Sequence, residues 1–366
     1  MTVKRAIGRV LLFALIVYVV WAAWQIARFK RYESTAAAPA ATGPALTEIE
    51  GAYHMHSKFS DGSKPVEKIA QAAAQAGLDF IILTDHGKPN FKALDAQGRR
   101  EGILVLAGSE ISSNRGHLIV LGFDRPDDAF RFSSDAETAA QEVAARGGFS
   151  IVAHPYSRVR WSWGASFDYS GLEIIDAHSL IRTHIFHSLP YYPLLLVKPS
   201  FALLKMTFPP APNLARWDQL LVKQPVNGYF SSDAHIFYAA IFSVFHLHVL
   251  LDQPLPADFA AARREVFAAL AKGRFFSAVD GAASARGFRA AVAEGALRVS
   301  TPYSFAHETF IIHDGKAVRQ TTENELVFPL TAPGAYRVEV YLRERTPLNP
   351  GTPWIISNPV YYEREP

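Results

Sequence analysis

Cysteine is absent from all 366 residues of the sequence. This absence excludes disulfide scaffolds, thiolate zinc sites and catalysis by a thiol nucleophile. Neither charge is in marked excess, because 37 lysine and arginine residues face 34 acidic ones, so we expect no specific nucleic-acid binding. Hydrophobic residues make up 49% of the chain, which supports a sizeable core and excludes a disordered protein. The length favours two folded units with attachments.

The N-terminal region contains an apolar run at 10–27, in which Gln25 is the one strongly polar side chain. As a helix these residues would extend about 27 Å, close to the roughly 30 Å hydrocarbon thickness of a bilayer. Trp21 and Trp24 near one end, with basic residues beyond them, are typical of an interfacial anchor. We therefore predict an uncleaved transmembrane signal anchor at 1–32, with the lipid bilayer as a partner.

An alanine-, proline- and threonine-rich stretch follows and predicts a flexible linker at 33–48. Cleavage after Ala40, as in a secreted protein, is the alternative. Basic residues on the two sides of the apolar run nearly balance, so the orientation rests on the shortness of the preceding tail. We expect that tail in the cytoplasm and the catalytic domain on the extracytoplasmic, periplasmic side.

Short apolar runs alternate with helical patterns between residues 50 and 280, as at 80–83 and 103–106. Runs of this kind indicate strands buried on both faces of a parallel sheet, and six or seven such units favour a barrel over an open sheet. A histidine or carboxylate follows nearly every predicted strand. Because the carboxyl ends of parallel strands meet at one rim, we expect these polar side chains to converge there.

Metal ligation is the chemistry that these residue types favour. His54 and His56 alternate on a predicted strand at 51–56, so both imidazoles would project from the same face. The full set of candidate ligands is His54, His56, Asp61, His86, Glu110, His117, His154, Asp233 and His235. Nine nitrogen and oxygen ligands are too many for one ion and suit two or three that share bridging carboxylates. A second H-x-H pair, His246 and His248, lies in an apolar strand without acidic neighbours and is interpreted as structural.

Seven short motifs occur in order across about residues 50–280: YHMHS and SDG at 53–62, LTDH at 83–86, GSEI at 108–111, GH at 116–117, AHP at 153–155 and SDAH at 232–235. This series resembles the PHP (polymerase and histidinol phosphatase) superfamily. The resemblance implies a distorted seven-stranded β/α barrel, similar to a TIM barrel, with a trinuclear metal centre. It implies three ligand groups, one of His54, His56, Glu110 and Asp233, one of Asp61, His86 and His235, and one of Glu110, His117 and His154, in which Glu110 bridges.

The last part of the sequence changes to short strands, with a hairpin signal at Asp314-Gly315 and alternation along 336–342. We therefore divide the chain into a hydrolase domain at 49–281 and a small antiparallel β-sandwich at 282–366. The strings GRFF at 273–276 and SNPVY at 357–361, with this tail, resemble the CehA/McbA-type metallohydrolases within the superfamily.

The ligand types suit two or three divalent ions of zinc, manganese or iron, which would activate a shared water for attack on an ester. The predicted function is hydrolysis of a small-molecule phosphate ester by a membrane-anchored enzyme. A carboxylic or carbamic ester is the close alternative, and a non-catalytic protein stabilised by its metals is the alternative of another class. His178 is the candidate proton donor and Arg158 a candidate substrate clamp. An apolar insertion at about 180–215 predicts a hydrophobic lid, a surface that dips into lipid, or a loop packed on the domain.

Overall fold

The computed structural model describes residues 3–29, 31–32, 46–165, 167–343 and 346–363. The predicted linker at 33–48 falls mainly on residues outside these ranges, as does the alternative cleavage site after Ala40. The helices are α1 Val3–Ala27, α2 Val66–Gln75, α3 Phe91–Asp95, α4 Ala136–Ala144, α5 Ala177–Thr183, α6 Ile185–Ser188, α7 Pro199–Lys205, α8 Ala211–Leu221, α9 Tyr238–Phe242 and α10 Phe259–Ala271, with a 3₁₀ helix at Leu189–Leu196.

The strands of the first part of the chain are β1 Thr47–Met55, β2 Phe80–Leu83, β3 Gly98–Arg100, β4 Ile103–Ala107, β5 Ser109–Ser113, β6 Gly116–Leu121, β7 Phe149–Val152, β8 Gly171–Asp176, β9 Asn227–Ser231, β10 His246–Leu251 and β11 Phe275–Ala278. Those of the C-terminal part are β12 Arg289–Ala293, β13 Ala296–Ser300, β14 His307–His313, β15 Lys316–Thr321, β16 Glu325–Pro329, β17 Gly334–Leu342, β18 Ile355–Ser357 and β19 Val360–Tyr362.

The strands before residue 280 form an α/β fold with mixed sheets. Parallel pairing joins β1 to β2 and β2 to β4, while β7, β8 and β9 pair in parallel within a separate five-stranded sheet that β5 and β6 complete. The expected barrel is not what the described strands form. Their ladders do not close, and the two sheets are joined by the isolated bridges Met55–Ala234 and His86–Glu110. The chain leaves one sheet between β4 and β5 at Gly108, where the Cβ of any other residue would clash with the Val120 carbonyl oxygen.

The expected helices form where apolar side chains recur at helical spacing and a polar residue caps the first turn. In α4 the carboxylate of Asp135 accepts a hydrogen bond from the Thr138 N–H, and in α10 Asp258 does the same for Ala261. Buried alanines line α2 and α4, and these small side chains let the helices pack closely on the sheets. The apolar runs at 80–83 and 103–106 are fully buried, as the sequence pattern predicts.

The C-terminal strands are antiparallel, but they do not stand apart from the rest. β18 pairs with β11 on one side and with β17 on the other. A single sheet of eleven strands therefore contains strands from both sides of the predicted domain boundary at residue 281. Three strands, β12, β13 and β16, form a separate sheet. The Asp314-Gly315 turn joins β14 and β15 with both residues at positive φ, as the hairpin signal predicts.

Helix α1 is long and apolar enough to cross a membrane, with a mean hydropathy of 2.3 over a window within Arg5–Ala27. Two of its side chains contact the apolar insertion. Tyr18 donates a hydrogen bond to the Pro190 carbonyl at 3.0 Å, and the ring of Trp21 lies 5.6 Å from that of Tyr191. Beyond the helix, Phe29 packs against Phe201 at 5.7 Å. The insertion itself is a series of short helices, α6, the 3₁₀ helix and α7.

Candidate metal centre

Two of the ligand motifs meet at one backbone bridge. Met55, the middle residue of the H-x-H, is bridged to Ala234, the middle residue of Asp233-Ala234-His235. Two hydrogen bonds form this bridge, from the His56 N–H to the Ala234 carbonyl at 3.0 Å and from the Ala234 N–H to the His54 carbonyl at 3.3 Å. Four candidate ligands separated by about 180 residues are thereby held around one point.

The spacing of the H-x-H pair predicts a regular strand, but the backbone that carries the two histidines is irregular. Strand β1 ends at Met55, and its pairing with β2 shifts between Tyr53 and Met55. His54 has φ 63°, a left-handed conformation that is uncommon for residues other than glycine. His154 and Asp233 also have positive φ, at 26° and 42°. Such backbone costs of order 1–3 kcal/mol per residue and clusters at functional sites.

The first ligand group is the most buried of the three. Glu110 Oε2 lies 3.3 Å from His54 Nε2 and 3.1 Å from His56 Nε2, and Asp233 Oδ1 lies 3.5 and 3.3 Å from the same two nitrogens. His54, His56 and Glu110 are almost completely buried. Two imidazole nitrogens and two carboxylate oxygens around one centre are suitable for a divalent cation.

The other two groups adjoin the first, and one of them shares Glu110. Its second oxygen, Oε1, lies 3.0 Å from His154 Nε2 and 2.5 Å from His117 Nδ1. On the other side, Asp61 Oδ2 lies 3.2 Å from His235 Nε2 and 3.7 Å from His86 Nε2. In each group the candidate ligand atoms lie within 4.8 Å of one another. The structure thus brings all nine predicted ligands together, in the three groups that the family resemblance implies.

Three ring nitrogens in this cluster are buried and have no hydrogen-bond partner among the described residues: His56 Nε2, His86 Nδ1 and His117 Nδ1. A buried polar atom without a partner lowers the stability of the fold, unless a donor or a cation binds its lone pair. Each of these nitrogens faces Glu110, which accepts but does not donate when it is ionised. Cations between the nitrogens and the carboxylate satisfy both partners, so the residues present fit bound divalent metals.

Burial alone would raise the pKa of Glu110, but the neighbouring histidines outweigh it. The charge on His54, the close contact of His117 and the hydrogen bond with His154 hold the pKa of this carboxyl well below its usual range. Burial likewise opposes ionisation of Asp233, yet the charge on His54 and the hydrogen bond from His178 keep its pKa well below the ordinary value. Both carboxylates are therefore ionised and available as ligands at neutral pH.

Glu173, on β8, is a functional residue that sequence reasoning missed. Its Oε1 accepts a hydrogen bond from His54 Nδ1 at 2.6 Å, and its Oε2 accepts one from the His154 backbone N–H at 2.7 Å. A carboxylate on one ring nitrogen fixes the tautomer and leaves the other nitrogen for the metal. The available signal was an acidic residue inside an otherwise apolar, fully buried strand.

Asp85 has a comparable role under the Asp61 turn. Its carboxylate accepts hydrogen bonds from the backbone N–H and hydroxyl of Ser57, both at 2.8 Å, and from the Ser60 hydroxyl at 2.7 Å. These bonds fix the loop that carries Asp61, whose own side chain is 54% exposed. The aspartate of the LTDH motif therefore supports a ligand loop rather than joining the metal cluster.

The two predicted catalytic residues lie in different surroundings. His178, in the first turn of α5, places Nδ1 3.2 Å from Asp233 Oδ2, and its side chain is 37% exposed at the edge of the cluster. The hydrogen bond to Asp233 outweighs burial and raises the pKa of His178. Arg158, after the His154 turn, is exposed to solvent. Asp61, His86 and His178 are the most exposed members of the site and mark its open side.

Part of the chain matches a known protein family. Residues 52–163 match the PHP domain family, which covers under a third of the chain but includes seven of the nine candidate ligands. A curated relative, phosphoribosyl 1,2-cyclic phosphate 1,2-diphosphodiesterase from Eggerthella lenta, is 35% identical over 78 residues. That alignment spans 19% of this chain and 30% of the relative's length.

Two solved structures are similar in part. A two-domain protein from Bacteroides vulgatus, described as containing a predicted PHP-like metal-dependent phosphoesterase, aligns over 90% of this chain and 99% of its own with 13% identity and a TM-score of 0.44. An amidohydrolase from Chromobacterium violaceum, solved with sulfate and no metal, aligns over 50% of this chain and 87% of its own with 16% identity and a TM-score of 0.32.

Proposed function

We propose that this protein is a multinuclear metal-dependent hydrolase of the PHP type, and that its substrate is a small phosphate ester. The observation that carries the proposal is the arrangement of three ligand groups around Glu110, with three buried ring nitrogens that have no hydrogen-bond partner among the described residues. The PHP match and the phosphodiesterase activity named for the Eggerthella relative support the choice of phosphorus over carbon as the electrophile.

Divalent cations, when bound, supply Lewis acidity that polarises a phosphoryl oxygen and makes a water molecule nucleophilic at neutral pH. The chain's own residues prepare the site for them. Glu173 orients His54, the His235 Nδ1–H donates to the Asp233 carbonyl at 2.9 Å, and the Asp85 network fixes the Asp61 loop. This preorganisation means that little rearrangement opposes the reaction.

His178 is suited to give a proton to the leaving group. The contact with Asp233 favours the doubly protonated ring, in which Nδ1–H donates to Asp233 and Nε2–H carries the proton that would be transferred. Arg182 is exposed beside it, and Arg158 and Arg160 are exposed on the segment after His154. These cations would meet an anionic substrate on the open side of the site.

The experiment is an ester panel on the full chain in detergent, purified without chelator. We expect turnover of p-nitrophenyl phosphate or its diester, loss of turnover on chelation, and recovery with added Zn²⁺, Mn²⁺ or Fe²⁺. Asp61→Asn is expected to reduce kcat, whereas His187→Ala, at an exposed histidine away from the cluster, leaves it unchanged. Turnover of 1-naphthyl esters alone would assign a carboxylic esterase of the CehA/McbA type. Metal binding without turnover on any ester would assign a binding protein.

The membrane location belongs to the same proposal. Helix α1 would anchor the protein once through the bilayer, with the catalytic domain on the periplasmic side. The exposed apolar side chains of the insertion support a lipid contact next to this helix, because Phe186, Leu196 and Val197 are 82, 83 and 72% exposed. Protease added outside spheroplasts should cut the domain; protection from protease until lysis would place it in the cytoplasm.

A further inference from the structure

A second group of metal-ligating side chains lies away from the candidate active site, where the hydrolase part meets the C-terminal strands. It consists of Glu50 on β1, His246 and His248 on β10, and Asp280 just after β11. All four residues are buried, with exposed fractions from 0 to 8%. Glu50 is paired with His248 across the antiparallel ladder, and the period of two along β10 places His246 on the same face.

Four atoms of this group converge. His246 Nδ1 lies 3.0 Å from Glu50 Oε2 and 3.7 Å from Asp280 Oδ2, and His248 Nε2 lies 2.8 Å from Asp280 Oδ2. Ligands at about 2.0–2.1 Å from a tetrahedral zinc ion are separated from one another by about 3.3 Å. The observed separations scatter around that value, so a single cation fits between these atoms with small shifts.

The opposite nitrogen of each ring has a partner of the kind that holds metal-ligating histidines. His246 Nε2 donates to the Phe242 carbonyl at 2.6 Å, and His248 Nδ1 lies 2.8 Å from Glu48 Oε1. A backbone carbonyl or a carboxylate in this position fixes the tautomer and turns the other nitrogen towards the metal. Glu48 is in turn held by Arg289, and Glu50 by Arg286.

With both rings neutral, hydrogen bonding among the protein groups leaves two of these contacts without a proton between their atoms. Because the Phe242 carbonyl can only accept, Nε2 of His246 carries the proton, and a neutral ring then presents a lone pair from Nδ1 to the Glu50 carboxylate. His248 has carboxylates at both nitrogens but carries one proton when neutral. Each ring therefore has one contact in which both atoms are acceptors. Either two additional protons or one divalent cation would satisfy these two contacts, and both supply a charge of +2.

We propose that Glu50, His246, His248 and Asp280 bind one structural Zn²⁺ at the junction of the two parts of the chain. A closed site with four protein ligands and no exposed member is typical of structural zinc, whereas the candidate active site is open on one side. Two added protons would give two separate ion pairs, His246 with Glu50 and His248 with Asp280. A shared cation also accounts for the position of His246 Nδ1 3.7 Å from Asp280 Oδ2. The site would tie β1, β10 and the end of β11 together, next to the arginines that precede and begin β12.

The test measures zinc content by mass spectrometry on the full chain, purified in detergent with added zinc. The double variant Glu110→Gln/Asp233→Asn disables the candidate active site, and we expect it to retain one zinc per chain through dialysis against a mild chelator. Adding His248→Gln or Asp280→Asn should remove that zinc and lower Tm. Those two substitutions in the otherwise unchanged chain should leave the candidate active-site metals in place.

The outcomes separate this proposal from the proposed hydrolase. No retained zinc in the double variant would show that protons hold the junction cluster, whatever the ester panel shows. Zinc that survives His248→Gln and Asp280→Asn would be bound elsewhere and would also overturn the proposal. If the added substitutions prevent folding, X-ray absorption on the folded double variant decides the question: two imidazole ligands support the site, and none refutes it.

Discussion

At the scale of single residues, the candidate active site is defined by side chains that are held in place by others. Each buried histidine of the first ligand group uses one nitrogen towards Glu110 and has its ring or backbone fixed elsewhere. His54 and His154 both depend on Glu173, which is not itself one of the nine candidate ligands. Sequence motifs identify the ligands, but a supporting carboxylate in a β-strand has no motif of its own.

Glu173→Gln tests this supporting role. The amide can still accept from the His154 N–H, but it no longer offers a charged acceptor to His54 Nδ1, so we expect about 10–100-fold weaker metal binding. The measurement is competition between the protein and a fluorescent chelator, with thermal unfolding as a check on folding. Glu142→Gln, at a partly buried position of α4 where the carboxylate accepts a hydrogen bond from the Ser133 N–H, is the matched control. Equal affinity in Glu173→Gln and the control would contradict the role.

His178→Ala tests the proton-donor role. A phosphate ester with a poor alkyl leaving group needs protonation, so we expect kcat to fall about 10²–10⁴-fold. In a p-nitrophenyl ester the leaving group, p-nitrophenolate, departs without protonation, so kcat on that substrate should change little. His187→Ala, also an exposed histidine, should affect neither substrate. An unchanged kcat on the alkyl ester would remove His178 from the mechanism.

Asp176 gives a prediction on pH. Burial, followed by the charge of Asp233, raises the pKa of this carboxyl to about 6. A carboxyl with a raised folded-state pKa stabilises the fold below its unfolded pKa, near 3.9, and loses that contribution as pH rises through about 6. In metal-free protein, Asp176→Asn should therefore gain about 1–3 kcal/mol relative to the unchanged chain between pH 4 and pH 7. Thermal unfolding at both pH values measures this, and a constant difference would show that Asp176 is ionised throughout.

At the scale of elements, the apolar insertion is the least expected part of the fold. Its short helices leave large apolar side chains exposed at one end, beside α1, while Phe201 and Leu204 are buried. This division of apolar residues into buried and exposed sets is typical of a segment that packs on its own domain and meets lipid on its other face. If the insertion were a lid over the candidate metal centre, its exposed apolar side chains would be expected to face that centre.

The absence of native cysteine permits a direct test of lipid contact. An environment-sensitive fluorophore on Leu196→Cys in the full chain, reconstituted in liposomes, should show blue-shifted emission and quenching by lipid-attached quenchers. The same label on Val327→Cys, 55% exposed in β16, should report water. Equal, water-like emission at both positions would mean that the insertion does not enter the bilayer.

At the scale of the whole molecule, the continuous sheet joins the hydrolase part to the C-terminal strands. β18 is only three residues long, yet Ile355 and Ile356 are buried and pair on both sides. Trp354 is fully buried and donates from Nε1 to the Ala283 carbonyl at 2.8 Å. Together with the ion-pair cluster around Glu48, these contacts make the two parts interdependent.

Ile356→Ala tests this interdependence. Removing a buried side chain from the shared sheet should cost about 2–5 kcal/mol and lower the temperature of a single unfolding transition seen by calorimetry. Val327→Ala, which truncates an exposed side chain, should shift it little. Two separate transitions, with only one moved by Ile356→Ala, would show that the parts unfold independently.

The amino-acid sequence determined the chemistry of this protein and most of its local structure. Ligand types and their spacing, helix caps, buried strands, the Asp314-Gly315 turn and the apolar N-terminal helix are set by neighbouring residues, so they can be predicted from short segments. Residue order along the chain also indicated which ligands would meet, because strand ends of an α/β fold share one edge.

Only the tertiary structure decided the features that depend on distant partners. It placed the strands of the expected distorted barrel in two sheets that do not close and are joined by isolated bridges. It also continued one sheet across residue 281, and it buried Arg337 and Glu339 on a strand whose alternation predicted an exposed face. It also gave the His246 and His248 pair three carboxylate neighbours, Glu48, Glu50 and Asp280, from elsewhere in the chain. A side chain's charge is local, but what it faces is set by packing between segments far apart in sequence.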